Sequence, residues 1–204
     1  ADWVILACKP QQLASLSAEA VSATKGRWII SILAGTPIHK LKAAFPEAAG
    51  IVRAMPNTPG QIRAGVTAWS CHENLTTTEK ETVENILGAL GPVYELPESQ
   101  LDAVTGLSGS GPAYVFEMVA GLRDAGIAEG LDPEISYQLA LQTVRGASEL
   151  LQRVAETPET HRNWVSSPGG TTLAGLAVLE EKNFRQLLRE TVSAATRRSK
   201  ELGG

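Results

Sequence analysis

The amino-acid sequence predicts an α/β chain, with a largely parallel, doubly wound sheet in the first half and an all-helical second half. Three observations lead there. Short apolar runs without polar alternation recur through the first half, as in strands covered on both faces. Helical patterns separate those runs, the alternation that builds parallel sheets. From about residue 99 no strand signal remains.

Trp3-Val4-Ile5-Leu6-Ala7 reads as a buried parallel strand. Such a strand needs flanking neighbours, so its place at the very start predicts that the sequence begins partway through a larger α/β domain. Trp28-Ile29-Ile30-Ser31-Ile32-Leu33 is a second strand of the same kind. Thr36 is expected to cap a helix that has Pro37 at its first position and Ile38, Leu41 and Phe45 on one face. Ile51-Val52-Arg53-Ala54-Met55 is a third strand, stopped by Pro56-Asn57-Thr58-Pro59, and Val66-Thr67-Ala68-Trp69 is a shorter fourth. Thr78 with Glu81 fits a capping box for a helix carrying Val83, Ile86, Leu87 and Leu90, which Gly91-Pro92 ends. Val93-Tyr94-Glu95-Leu96 closes this half as a strand.

In the second half, Pro112 suits the first turn of a helix that buries Val115, Val119 and Leu122. Asp132-Pro133-Glu134 starts a long helix with Ala140, Val144, Ala147, Leu151 and Val154 in register. Thr171 or Thr172 opens another, through Leu179. Asn183 is expected to cap the last helix, with Phe184, Leu187, Leu188, Val192 and Ala195 inward. Arg197, Arg198 and Lys200 in its final turns complement the helix dipole. These helices are rich in Ala and Gly and poor in aromatics. Alone they bury little apolar area, so packing against a second copy is expected.

Composition narrows the function classes. The chain has 204 residues, 43% of them hydrophobic and 20% charged, which is ordinary for one or two globular domains. A net charge of -4 speaks against nucleic acid as a partner. No apolar run approaches the ~20 residues of a membrane span, so no membrane partner is expected. Cys8 and Cys71 are too few for a disulfide framework and lack metal-ligand spacing, which fits a reducing, cytoplasmic setting.

Two small-residue loops stand directly before helical patterns: Leu107-Ser108-Gly109-Ser110-Gly111-Pro112-Ala113-Tyr114 and Ser166-Ser167-Pro168-Gly169-Gly170-Thr171-Thr172. Each can offer backbone N–H groups, hydroxyls and a positive helix end to a small carboxylate or phosphate. In the second loop, Gly169 and Gly170 free the backbone to curl, and Thr171 and Thr172 exceed what simple capping needs. The first weighs toward close helix packing. Three further loops follow strands, where open α/β sheets bind ligands. Lys9 in Ala7-Cys8-Lys9-Pro10 is placed to reach a phosphate or ribose, or is a solvated lysine before a proline-started helix. Gly35 in Ala34-Gly35-Thr36-Pro37 allows close approach of a ring, or makes an ordinary turn. Asn57 sits in a loop stiffened by two prolines and offers a donor and an acceptor, or again belongs to a plain turn. His39, His72 and His161 lie in polar contexts without a partner nucleophile, and no metal-ligand spacing occurs. Ligand loops without a protein nucleophile imply that a cofactor carries the reaction.

In order and spacing, these segments resemble the pyrroline-5-carboxylate reductases. The resemblance is carried by Ala1 to Gln11, Met55-Pro56-Asn57-Thr58-Pro59, Leu101 to Tyr114, Ser167-Pro168-Gly169-Gly170-Thr171-Thr172 and Arg198-Ser199-Lys200-Glu201-Leu202-Gly203. It implies a Rossmann-like dinucleotide-binding domain over residues 1–98, N-terminally incomplete, and a helical substrate-binding and dimerisation domain over 99–204. It also implies hydride transfer from NADP or NAD in reduced form to 1-pyrroline-5-carboxylate, giving L-proline, in a homodimer or a higher ring of dimers. By the same resemblance, Ala7, Cys8, Lys9, Pro10, Leu33, Ala34, Gly35 and Asn57 contact the cofactor. Val165, Ser166, Ser167, Gly169, Gly170, Thr171 and Thr172 hold the substrate carboxylate, with Thr172 nearest the ring nitrogen as the catalytic hydroxyl, and Glu98 is a second candidate for that nitrogen.

Two departures stand out. The family's Gly-x-Gly-x-x-Gly turn falls upstream of residue 1, so the chain is expected to lack that unit and the residues that select NADP over NAD. Trp164 stands where the family has a polar residue. The alternatives are a related imine or β-hydroxyacid reductase, which the lack of a catalytic lysine in the helical half opposes, and a catalytically silent, truncated dimerisation fragment.

Overall fold

The computed structural model describes residues 1–204. It divides into two compact units, a sheet unit of Ala1–Pro112 with Thr191–Gly204, and a helical unit of Ala113–Glu190.

The sheet unit holds β1 (Trp3–Leu6), β2 (Trp28–Ser31), β3 (Gly50–Met55), β4 (Thr67–Cys71) and β5 (Val93–Glu95), in that spatial order. β1, β2 and β3 are parallel; β4 runs antiparallel to β3, and β5 parallel to β4. The carboxyl ends of three adjacent strands therefore share one sheet edge. β1 forms one margin of this sheet, and Ile5 is half exposed there rather than covered on both faces.

Helices cover both faces. Ile29 and Ile51 point to one face, where they meet Ile38, Leu41 and Phe45 on and just after α2 (Ile38–Ala44). Ile30, Val52, Ala54 and Trp69 point to the other and meet Val83 and Leu87 of α3 (Thr77–Gly88). Alternation along the pleat splits each apolar strand between two cores, which is why these runs read as unbroken.

Two helix starts of the sheet unit differ from expectation. The capping box of α3 is Thr76 with Glu79, not Thr78 with Glu81: the Thr76 hydroxyl accepts from the Glu79 N–H and the Glu79 carboxylate from the Thr76 N–H. Three consecutive threonines left the choice to geometry. At α2 the N-cap is Pro37, and no side chain of the turn caps it. A distant carboxylate does so instead, with Glu98 accepting the Ile38 N–H at 2.7 Å. Thr36 only reaches the Ala34 carbonyl, at 3.4 Å.

The sheet unit continues through a short α1 (Ala18–Ser22), a 3-10 turn over Glu98–Gln100 and α4 (Leu101–Val104) into a wide helical turn over Thr105–Gly109. Glycines make this segment compact. A Cβ on Gly106 would strike Thr196 Oγ1 of α9 (Phe184–Gly203), and one on Gly109 would strike Met55 Cε. Gly109 thus serves close packing, whereas a Cβ on Gly111 would meet open space.

The helical unit comprises most of α5 (Gly111–Ala128), α6 (Pro133–Arg153), α7 (Pro158–Trp164), α8 (Thr171–Glu181) and the first part of α9. Asp132 caps α6 through the N–H groups of Glu134 and Ile135. Asn183 takes a left-handed φ of 53° before α9, and its side chain reaches back to the Glu181 carbonyl rather than forward to an N–H. Apolar faces that the helical periodicity assigns to a core are largely open in the single chain, Leu151, Leu187 and Leu188 among them.

Candidate functional site

In the sheet unit, three loops leave the shared edge of β1, β2 and β3. Ala7 and Lys9 are exposed, Cys8 and Pro10 half-buried, and Pro10 opens a 3-10 turn through Ser15. The Lys9 backbone N–H is held by Gln12 Oε1 at 2.9 Å, which fixes the loop and leaves the ammonium in solvent, outside every ion pair. In the next loop the Leu33 side chain is buried in the core, so only its backbone faces the edge. Gly35 has a φ of 66°, a left-handed conformation that favours glycine.

Asn57 is part-buried and its carboxamide is engaged on both ends. Nδ2 donates to the Ser108 carbonyl at 3.2 Å and Oδ1 accepts the Val66 N–H at 2.9 Å. It ties together three loop segments, and recognition of a ligand by this carboxamide would have to break one of those ties. Glu98 is similarly spent. Its Oε1 accepts from Ile38 N–H and from Arg53 at 3.3 Å, and its Oε2 faces His72 Nε2 at 2.9 Å.

The centre of this network is Arg53, whose side chain is only 6% exposed and also contacts Asp102 Oδ1 at 3.0 Å. Ser199 donates to the same Asp102 oxygen at 2.8 Å. The sequence did carry a signal for it, because a lone charge inside the apolar run Ile51–Met55 requires a buried partner. Nearby, burial pushes the Cys71 thiol up to about 12, with Glu73 as its hydrogen-bond partner at 3.3 Å.

In the helical unit, Val165 is exposed and Ser166 is turned back on α7, its hydroxyl donating to Arg162 O at 2.6 Å and its N–H to Asn163 O at 3.1 Å. The turn then tightens: Gly170 N–H donates to Ser167 O at 2.9 Å, and Gly169 has a φ of 70°. A Cβ on Gly170 would strike Ser167 Oγ. Gly170 is the N-cap of α8, and no side chain caps this helix. The first-turn N–H groups of Thr171, Thr172 and Leu173 therefore lack an intrahelical acceptor and point out of the helix end. Thr171 is exposed and Thr172 half-buried. Bare N–H groups, two hydroxyls and a helix dipole converge here, a place for one carboxylate. A cleft of about 780 Å³ runs between α7, α8 and α9 and shares Ser166 and Leu173 with this turn. Its other walls include Leu176, Phe184 and Arg189, so it is an interhelical groove beside the turn. Trp164, largely exposed, stacks edge-on with His161 at 5.0 Å between ring centroids.

Residues 98–202 match the family described as pyrroline-5-carboxylate reductase dimerisation. The pyrroline-5-carboxylate reductase of Synechocystis is 46% identical over 202 residues, covering 99% of this chain and 75% of the relative. The chain belongs to the pyrroline-5-carboxylate reductase family. The family's enzyme from Methanosarcina acetivorans is 38% identical over 203 residues, with 99% of this chain and 75% of the relative covered. Solved structures agree in fold. The family member from Coxiella burnetii superposes with a TM-score of 0.91 at 36% identity, over all of this chain and 77% of its own. That from Plasmodium falciparum, solved with NADP bound, gives 0.90 at 33% identity over 98% and 81%.

Proposed function

We propose that the chain reduces 1-pyrroline-5-carboxylate to L-proline with hydride from NADPH or NADH, residues 1–98 serving the cofactor and 99–204 the substrate and dimerisation. The observation that carries the substrate assignment is the uncapped, glycine-opened start of α8. A pyrroline carboxylate brings one anion to be fixed, and this turn offers an anion site and little else. Membership of the family supplies the reaction class.

The three loops at the strand ends fit a dinucleotide: they lie on adjacent parallel strands, Gly35 leaves its backbone bare, and Lys9 presents an unpaired cation. When bound, the reduced nicotinamide supplies the hydride. Ala7, Cys8, Lys9, Pro10, Leu33, Ala34 and Gly35 hold the cofactor, and Asn57 acts by fixing the loop around it.

The Ser167–Thr171 turn binds the carboxylate through N–H groups, and the Thr172 hydroxyl is placed to orient the ring nitrogen and help protonate it. An iminium is already electrophilic, so the protein's task is positioning. Glu98, held in its buried network, is the second candidate for the ring nitrogen.

The assembly is a homodimer, from which a higher ring of dimers is built. Phe116, Leu139, Leu150, Val178 and Leu187 are exposed in the single chain, and a second copy covers such a surface. The setting is the cytoplasm, where Cys8 and Cys71 remain free thiols. Neither nucleic acid nor membrane is proposed as a partner; the net charge of -4 supports the first part of this reading.

The test is NADPH oxidation on addition of 1-pyrroline-5-carboxylate, for the wild type and Thr172→Ala. Loss of at least about tenfold in kcat/KM is expected from removing a hydroxyl that acts in the transition state. Unchanged turnover in the variant would remove Thr172 from the reaction.

A further inference from the structure

The last turn of α9 closes on the loop after β2. A Cβ on Gly35 would stand 3.1 Å from both the Leu202 Cβ and the Ser199 carbonyl oxygen. From the opposite side, a Cβ on Gly203 would stand 2.9 Å from the Gly35 carbonyl oxygen. Two backbones meet here with no side chain between them, so a methyl group on either one displaces the other. The loop's own bracing is weak: Thr36 N–H reaches Leu33 O only at 3.4 Å. Its position therefore depends on what it leans against.

That support is anchored in turn. Ser199 is buried at 3% exposure and donates to Asp102 Oδ1 at 2.8 Å, the oxygen that also holds Arg53. Arg53 reaches Glu98, and Glu98 accepts the N–H of Ile38 at 2.7 Å. One connected set of contacts thus fixes the residues from Leu33 to Ile38 at both ends, by the helix turn under Gly35 and by the carboxylate at Ile38. No catalytic step proposed above uses these contacts.

We propose that the last turn of α9 is the backstop of the cofactor loop, with Ser199 and Gly203 as positioning residues for the dinucleotide. The inference rests on the reading of Leu33–Gly35 as a cofactor contact. Displacing the turn lets the loop shift and weakens cofactor binding, while the substrate turn at α8, part of the helical unit, is untouched.

The experiment is a fluorescence titration of NADPH with this chain preceded by the family's Gly-x-Gly-x-x-Gly segment, as wild type, Gly203→Ala, Ser199→Ala and Lys200→Ala, together with hydrogen exchange over residues 33–38 and thermal melts. Gly203→Ala is the informative change. The added methyl meets the Gly35 carbonyl oxygen whatever that contact serves, so a merely structural role predicts a lowered melting temperature with unchanged NADPH binding. The backstop predicts a dissociation constant raised about tenfold, the scale on which misplacing a binding group acts, with the substrate KM unchanged. It also predicts faster exchange at residues 33–38, the same pattern in Ser199→Ala, and no change in the exposed Lys200→Ala.

Wild-type binding that Gly203→Ala leaves unaltered overturns the inference alone. So does weaker binding with no change in exchange over 33–38. A wild type that binds neither NADPH nor NADH overturns the reading of the loop itself, and the inference with it.

Discussion

Arg53→Met tests whether the buried network of the sheet unit is a real constraint. The side chain sits at the centre of β3, 6% exposed, against two carboxylates that are themselves 18% and 19% exposed. Contacts of 3.0 and 3.3 Å are close enough for large gross attraction, which the cost of removing three charged groups from water mostly offsets. The net worth of the intact cluster is therefore small, but taking away the single cation is not symmetric with forming it. Glu98 and Asp102 would remain mostly buried without their shared guanidinium, and methionine would leave their oxygens without a donor. Breaking a buried ion pair this way costs about 3–5 kcal/mol, a large share of a typical folding free energy. Urea denaturation at a fixed protein concentration measures it, the concentration being held because a dimer's stability depends on it. The loss should shrink when Asp102→Asn accompanies Arg53→Met, since one uncompensated charge is then gone. A loss below about 1 kcal/mol for Arg53→Met alone would refute the reasoning and mean that water reaches the carboxylates.

Three further outcomes follow from the same geometry. Asn57→Ala strands the Val66 N–H and the Ser108 carbonyl and should destabilise by about 1–3 kcal/mol, read in the same denaturation curves. With its thiol near 12, Cys71 presents thiolate at roughly one part in ten thousand at pH 8, so alkylation of native protein followed by mass spectrometry should leave it unmodified. Burial works to raise the Glu73 carboxyl, but hydrogen bonds from Lys42 and Cys71 outweigh it and hold the group below its usual value. A depressed carboxyl stabilises the fold above its unfolded pKa and loses that contribution as pH falls through the folded value, so Glu73→Gln should lower stability at neutral pH, and the deficit against wild type should shrink as pH falls below about 4.5.

Much of the fold was legible because the period of the apolar pattern changes along the chain. Buried parallel strands have no polar alternation, and Trp28–Ser31 and Gly50–Met55 show it plainly. The helix starts at Asp132 and Thr171 were legible because proline and glycine leave few options. What the sequence could not show depended on distance along the chain. Nothing local to Pro37 says that a carboxylate sixty residues later caps α2. Nothing in Thr76-Thr77-Thr78 says which hydroxyl faces the first turn. The openness of the α9 face was likewise hidden, because periodicity reports that a face is apolar and is silent on whether the same chain covers it. At the candidate site the asymmetry is the same: the α8 turn is local and was readable, whereas the partners that occupy Asn57 and Glu98 are remote.

The way polar groups are spent in this molecule bears on its chemistry. The buried and part-buried polar groups around the end of β3 are committed: Arg53, Glu98 and Asp102 to each other, His72 to Glu98, Asn57 to two backbone groups. In the ligand loops themselves, the groups left open include the first-turn N–H groups of α8 and the ammonium of Lys9. Both bind anions and neither moves protons at neutral pH. Loops that are fixed by an ionic network and present anion-binding groups suit a reaction whose electrophile is already activated and whose partners carry their own negative handles. Reduction of a ring iminium bearing a carboxylate by a phosphate-bearing cofactor meets both conditions.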